Sequence, residues 1–405
     1  MMPLALWPKV LLPVGLGTAL SLMGDSTLYT VLPTHTQEAG VVLGAVGILL
    51  GVNRAVRLLF NPVAGYAYDR FDKRALFLSS LLVGALSTAV CAAARGFTPL
   101  LAGRILWGLA WSGIWIGGSS IILDSTQEER RGRELGFYQT WFLVGVALGS
   151  VSSGLLTDLA GYRPALWLGA GVSLLGFLAS LILLPATRQA SPPGRLRPDL
   201  PSLRRPPLPP PILWGPALLI SALIQGLNRF ILAGLLSAAL SLLVANRFGA
   251  AGLLIGVSTL TGLLTAGRML LGSLLAPLAG ALSDAWRDRW RVVQLCQAVG
   301  LAAMLLIAWR LPAALLLGVA LSAFSYGSIP VLLTAVSADC LGPQRRSQAV
   351  GLLQSAGDIG SALGPPFAFF CLPGLGLGGL FLLAAGLYAL GLGAVLSFRP
   401  ILDRS

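Results

Sequence analysis

The sequence predicts an all-α polytopic membrane protein, with 12 transmembrane helices in two pseudo-symmetric six-helix bundles. Three observations predict it: a composition too apolar for water, twelve runs long enough to span a bilayer, and an internal repeat that divides them into two sets of six. Hydrophobic residues make up 56% of the 405-residue chain and charged residues 11%, with a mean hydropathy of +0.82. A soluble domain carries roughly 25% charged residues. The 50 Gly and 26 Pro would indicate disorder in water, but inside apolar runs they fit helices that pack closely and bend.

A spanning helix needs about 20 mainly apolar residues. Such runs fall at 10–33, 41–66, 75–95, 98–123, 136–159, 165–185, 213–241, 251–281, 291–309, 312–338, 348–372 and 374–397. The first, which follows Lys9, is too long for a cleaved signal and reads as a retained helix. It carries Asp25, with Thr18, Ser21 and Tyr29 on the same face by i+3/i+4 spacing. Span two carries Asn53, Arg54, Arg57 and Asn61, the last three on one stripe. Span four holds Arg104 near its outer end and then Trp107, Trp111 and Trp115 at i+4 spacing. After span six comes a segment rich in Pro, Arg and Ser with no apolar period, which reads as a linker. The chain thus divides into a bundle at 1–187, a linker at 188–212 and a bundle at 213–405. Span seven carries Gln225, Asn228 and Arg229, span eight Arg268, and span eleven Asp358 near mid-depth, with Gln354 and Ser361 on its face.

The repeat is a constant shift. Adding 215 carries Pro62, Gly65, Asp69 and Arg74 onto Pro277, Gly280, Asp284 and Arg289, and Asp124 onto Asp339. The same shift takes Arg130-Arg131 to Arg345-Arg346, Gly136 to Gly351, Gln139 to Gln354, Gly145 to Gly360 and Gly149 to Gly364. Duplicated units of this kind are a hallmark of transporters. Lys and Arg give the orientation: nineteen lie in loops and tails on the side of the N-terminus, four in the opposite loops, and five inside spans. Both termini and the linker are therefore expected on the cytoplasmic side of the cell (inner or plasma) membrane.

On these residues the chain resembles the major facilitator superfamily over nearly its whole length. Gly65, Asp69, Arg70, Lys73 and Arg74 match its G-x-x-x-D-R loop after span two, with Asp72 where the family usually has Gly. Arg104-Ile105-Leu106-Trp107-Gly108 resembles its span-four signature, without the usual Gln before Gly108. Gly145-x-x-x-Gly149 resembles its antiporter signature, with Ser150 in place of Pro, so antiport is not assigned. The resemblance implies that Asp69 caps a helix of the opposite half, and that Lys73 or Arg74 pairs with Asp124. Gly280, Asp284, Arg289 and Asp339 form the repeated gating set. It also implies a central cavity lined by spans one, four, seven and ten and flanked by two, five, eight and eleven. Asp25 and Arg229 would face that cavity, with Arg54, Arg268 and Asp358 near its edges.

A charge at the bilayer centre costs at least ~2.5–3.5 kcal/mol on insertion scales, so it faces a cavity or a partner. Desolvation favours the neutral form of a carboxylate and a nearby guanidinium the charged form; a substrate that tips this balance couples transport to protons. Asp25 is the first candidate for that role, against a fixed structural pair such as Asp25–Arg54. Asn53, Arg54, Gln225, Asn228, Arg229 and Asp358 complete the candidate coupling and cavity set. Five intramembrane arginines against two acids favour an anionic or anion-headed substrate. Arg57 and Arg268 lie deep enough toward the cytoplasm, and Arg104 near enough to the outer end, to snorkel instead. The Trp stripe reads first as packing, and His35 as an ordinary loop histidine.

The function these features imply is secondary active transport of a small organic solute by alternating access, as a proton-coupled symporter or antiporter, with efflux among the directions. The alternative is a non-enzymatic flippase or pigment-delivery factor on the same fold. Membrane lipids, a small-molecule substrate and protons are the expected partners; nucleic acid is not. Neither a cofactor, a metal nor an enzymatic activity is expected, since no Walker-type loop occurs and Cys91, Cys296, Cys340 and Cys371 show no paired spacing.

Overall fold

Helix boundaries fall where charge, glycine and proline interrupt the apolar runs. The computed structural model describes residues 7–127, 130–185, 215–249, 255–340 and 346–402. The expected linker at 188–212 and the side chain of Asp339 lie outside the described residues. The first bundle comprises α1 (Trp7–Val31), α2 (Leu43–Arg70), α3 (Lys73–Ala93), α4 (Phe97–Ser125), α5 (Arg131–Ala160) and α6 (Tyr162–Leu183). The second comprises α7 (Pro216–Phe248), α8 (Val257–Trp286), α9 (Arg289–Ala308), α10 (Pro312–Cys340), α11 (346–375) and α12 (377–402). The last two meet at Gly376, whose φ of 64° breaks the helix at a cost only glycine avoids. Helices α1–α10 have between 20 and 33 residues, enough to cross roughly 30 Å of hydrocarbon. Side chains such as Leu59, Ile182, Leu274 and Phe370 are exposed at 72%, 78%, 69% and 84% and form an apolar outer skin.

The end of the molecule bearing Gly65–Arg74 is called the basic face below, and the opposite end the far face. The charged stretch expected as a loop is largely helix: α2 continues through Arg70 and only Phe71 and Asp72 link it to α3. Charge lowers hydropathy there without stopping the helix. Asp72 needs no glycine conformation (φ −59°, ψ 115°), and its carboxylate accepts Arg74 N–H at 3.0 Å as the N-cap of α3. Asp288 does the same for α9, accepting Arg291 N–H at 3.0 Å.

Glycines set the helix crossings. Within the bundles, Gly145 and Gly149 of α5 lie on Ala19 and Met23 of α1, and Gly360 and Gly364 of α11 lie on Gly226 and Gly234 of α7. A Cβ at Gly145 would sit 2.6 Å from Ala19 O, and one at Gly360 2.1 Å from Gly226 O. The repeated glycine pair thus brings backbones together, which is how helices associate where apolar burial gives no driving force.

Between the bundles run two seams, α2–α11 and α5–α8. A Cβ at Gly47 would lie 2.6 Å from Pro365 O, and one at Gly262 2.1 Å from Ser150 O. Gly47 and Gly262, like Ser150 and Pro365, are 215 residues apart, so one crossing is built twice. Gly51 against Ala362 and Gly154 against Ser258 extend the two seams. These contacts lie in the half of the molecule next to the far face. Toward the basic face no described residue approaches within 4 Å of a Cβ at Gly65, Gly136, Gly280 or Gly351. A cleft between the bundles therefore opens on the basic face.

Candidate functional site

Helices α1 and α4 run in opposite directions, so depth can be counted from their far-face ends. Asp25 lies six residues before Val31 and Arg104 seven after Phe97, which puts both about 10 Å below the helix ends. The Arg104 guanidinium pairs with the Asp25 carboxylate through Nη1, donates from Nε to Leu49 O at 3.0 Å and from Nη2 to Tyr29 Oη at 3.2 Å. Arg104 is 1% exposed and does not snorkel. Asp25 therefore has Arg104 as its partner, not Arg54. The Tyr29 hydroxyl is 2.9 Å from Leu50 O and 3.0 Å from Oδ1 of buried Asn53. Gly108, one turn beyond Arg104, lets α4 approach α2: a Cβ there would lie 2.7 Å from Asn53 O.

Arg54 reaches across to the other bundle. Its Nη1 donates to Ala233 O of α7 at 2.6 Å and Ser361 O of α11 at 2.9 Å, and its guanidinium lies 5.0 Å from the Tyr29 ring. One turn on, Arg57 pairs with Asp358 of α11 at 2.9 Å, with side-chain exposures of 23% and 22%. Arg57 is thus held by an acid of the opposite bundle and does not snorkel to the basic face.

The second bundle supplies the other wall. Helix α7 is π-helical over Arg229–Leu236, a distortion that shifts backbone carbonyls out of their α-helical pairing and recurs at functional sites. Leu232 O accepts Arg268 Nη1 at 3.1 Å, while Arg268 Nη2 donates to Ser237 Oγ at 2.9 Å. Arg268 is 3% exposed and also does not snorkel. Its guanidinium and that of Arg229 lie 4.8 and 5.9 Å from one ring, Tyr326. Asn228 is buried and structural, accepting from Tyr388 Oη at 2.8 Å and donating to Ser325 O at 3.4 Å. Gln225 is 3% exposed, and its Oε1 has no partner among the described residues.

Charge balance follows. Arg54 and Arg268 donate to the adjacent carbonyls of Ala233 and Leu232, Arg268 and Arg229 face one ring, and Arg57 lies one turn from Arg54. Of these four guanidiniums only Arg57 has a carboxylate partner, Asp358, among the described residues. Like charges at this depth act on each other far more strongly than in water.

On the basic face, Lys73 Nζ donates to Asp124 Oδ2 at 2.6 Å and Ser120 Oγ at 2.7 Å. Arg74 turns elsewhere, donating to Leu184 O at 2.9 Å and Leu181 O at 2.8 Å at the end of α6. Arg70 stacks on Tyr66 at 4.5 Å. Asp69 is exposed and has no hydrogen-bond or ion-pair partner among the described residues. The helix cap that the family resemblance implied for it is not made, because the bundles stand apart at this face. Asp284 is likewise exposed, and Arg289 opens α9.

The Trp stripe is internal. Trp107, Trp111 and Trp115 stack in series, with centroids 6.2 and 5.9 Å apart, against Phe142 and Tyr138 of α5. His35 stacks on Tyr162 at 5.8 Å, which ties the first outer turn to α6. Sequence reasoning missed Asp158. At the end of α5, its carboxylate accepts Ser258 N–H at 3.2 Å, Thr259 N–H at 2.7 Å and the Thr259 hydroxyl at 2.6 Å. It caps α8 from the opposite bundle, where Gly256 supplies no side chain.

Two repeated bundles, joined by glycine seams around an ionised cleft, define a membrane-transporter scaffold. The family model described as Major Facilitator Superfamily matches residues 14–258 and 218–404. An uncharacterized MFS-type transporter of Bacillus subtilis (strain 168), YdeG, is 29% identical over 160 residues, 39% of this chain and 36% of that protein. The quinolone resistance protein NorA of Staphylococcus aureus is 21% identical over 180 residues, 44% of this chain and 46% of that protein. The matching stretches thus span less than half the length of these relatives. A crystal structure of a bacterial homologue of the human lysosomal transporter Spinster, inward-facing and occupied, shares the fold. Its TM-score is 0.74 at 17% identity, over 98% of this chain and 96% of that one. The chain belongs to the Major Facilitator Superfamily.

Proposed function

We propose that the protein is a secondary transporter of small organic anions or anion-headed amphiphiles, working by alternating access with its basic face in the cytoplasm. The observation that carries this reading is the group Arg54, Arg57, Arg229 and Arg268, in which only Arg57 has a carboxylate partner, Asp358, among the described residues. A cleft of that sign concentrates anions and repels cations. The seams support rocking, because they join the bundles only in the half next to the far face. Loop Lys and Arg support the orientation. The likeness to a quinolone resistance protein supports export as the direction.

Proton coupling is assigned to Asp358 in this reading. Its side chain is 22% exposed and shared between the bundles, whereas Asp25 is 11% exposed and bound to an arginine with a side chain 2% exposed. An anion arriving at Arg57 competes with Asp358 for the guanidinium and frees the carboxylate to take a proton. Lipid flipping, the alternative, draws no support from the Trp stripe, which packs between α4 and α5.

The test is solute-induced proton movement in liposomes containing a pH dye, with pooled anionic, neutral and cationic metabolites. Anionic pools are expected to move protons through wild type and not through Asp358→Asn, while Asp358→Asn still exchanges labelled for unlabelled anion. Proton movement with cationic pools alone would overturn the reading.

A further inference from the structure

We infer that the cleft recognises its anion through Arg229 and Gln225, and that the substrate is an apolar or aromatic acid with a hydroxyl beside its carboxylate. This rests on the reading of the cleft as an anion carrier and narrows it.

Three of the four clustered guanidiniums already have protein acceptors: Arg54 two backbone carbonyls, Arg57 the carboxylate of Asp358, Arg268 a carbonyl and a hydroxyl. Arg229 has none among the described residues; its guanidinium lies 5.9 Å from the Tyr326 ring. A guanidinium presents five donors in a planar fork that matches a carboxylate, and leaving them unmade at this depth is unfavourable. One helical turn earlier on α7, about 6 Å away along the axis, the Gln225 Oε1 also lacks a partner, in a residue only 3% exposed. The two unmet groups are complementary to one ligand that carries an acid for Arg229 and a donor for Gln225.

Gly357 of α11 faces both side chains: a Cβ there would lie 3.2 Å from Arg229 Cγ and 3.3 Å from Gln225 Nε2. Beside them are apolar surfaces for the rest of the molecule, the Tyr326 ring and the edge-on pair Phe230–Phe367 at 5.3 Å. An ammonium donor in place of the hydroxyl would meet the positive charge of Arg229 and, across the Tyr326 ring, of Arg268.

The experiment measures binding to the purified full-length protein in lipid nanodiscs, using 2-hydroxy-3-phenylpropanoate, 3-phenylpropanoate and the neutral 3-phenylpropanol. Wild type is expected to bind the hydroxy acid about tenfold more tightly than the plain acid, the worth of one good hydrogen bond, and not to bind the alcohol. Gln225→Leu should bring the ratio of the two acids to about one with the plain acid unchanged. Arg229→Gln should weaken both acids by about tenfold or more. Gln225→Glu, which keeps the side-chain size and adds a negative charge, should repel both acids; it is scored only if its melting temperature matches wild type. A hydroxy-acid preference that survives Gln225→Leu overturns the inference, as does acid binding that ignores Arg229→Gln, and either leaves anion transport standing. Failure of every acid and of a wider anion panel to bind wild type overturns both readings.

Discussion

The two seams between the bundles share a scaffold and differ in chemistry. Each crosses at a glycine of the same repeat position, Gly47 on α2 and Gly262 on α8, pressed against a backbone carbonyl. Along α2–α11 the crossing continues into Arg54, Arg57 and Asp358, which place ionised groups between the bundles. Along α5–α8 the positions related to them by 215 are Met269, Gly272 and Leu143, none of them charged, and the neighbouring Arg268 turns into its own bundle, to Leu232 O and Ser237 Oγ of α7. What that seam has instead is Asp158 at its far-face end, binding the first turn of α8. Duplication preserved the close approach that lets helices slide and rock, while the charges diverged. One seam became the reactive wall of the cleft, and the other a hinge with an anchor.

The strongest way to break the comparison is to fill the shared crossing. Gly47→Leu and Gly262→Leu each insert a side chain where a Cβ already meets a carbonyl, an overpacking worth about 1–3 kcal/mol against the closed far face. Both should nearly abolish transport and lengthen the distance between spin labels at 159 and 255. Equal loss at the two seams supports a common scaffold; loss at one alone breaks it. Next in size is the charge difference. Asp358→Asn removes the carboxylate partner of Arg57 and should reduce proton-driven anion transport by about tenfold or more, while Leu143→Asn at the related position leaves transport near wild type.

The anchor should have a smaller effect. Asp158→Ala removes a side-chain cap worth about 1 kcal/mol, which should shift the 159–255 distance distribution toward the open far face about fivefold. The smallest effect is expected on the basic face, where Lys73–Asp124 joins α3 to α4 within one bundle. Asp124 is 59% exposed, and Lys73→Ala should change thermal stability by less than about 1 kcal/mol. A larger change would show that this pair also senses the rocking.

The fold was legible in the sequence because bilayer length and a constant 215-residue shift are both one-dimensional signals. Helix ends were less so: α2 runs on to Arg70 because charged residues remain helical after hydropathy has ended. The types of site residue were legible, their pairing only in part. Counting depth from antiparallel ends would have matched Asp25 with Arg104, but their burial depends on how α1, α2 and α4 pack. The snorkelling open to Arg57, Arg104 and Arg268 as an alternative does not occur for that reason, each having found a partner inside the protein. Asp158 left no readable signal, since its partners are mainly backbone N–H groups. The π-helical turn left none either, because α7 is apolar on nearly every side there.

That turn has an electrical consequence. A backbone carbonyl is a dipole, so at Leu232 and Ala233 it solvates Arg268 and Arg54 without cancelling their charge. In the first bundle the corresponding service to Arg104 comes from a carboxylate, which does cancel it. Under the proposed function the empty carrier holds a surplus of fixed positive charge in the middle of the bilayer, and binding an anion reduces it. Moving one elementary charge across 100 mV is worth about 2.3 kcal/mol, so the return of the empty carrier, more than the loaded step, should respond to the membrane potential.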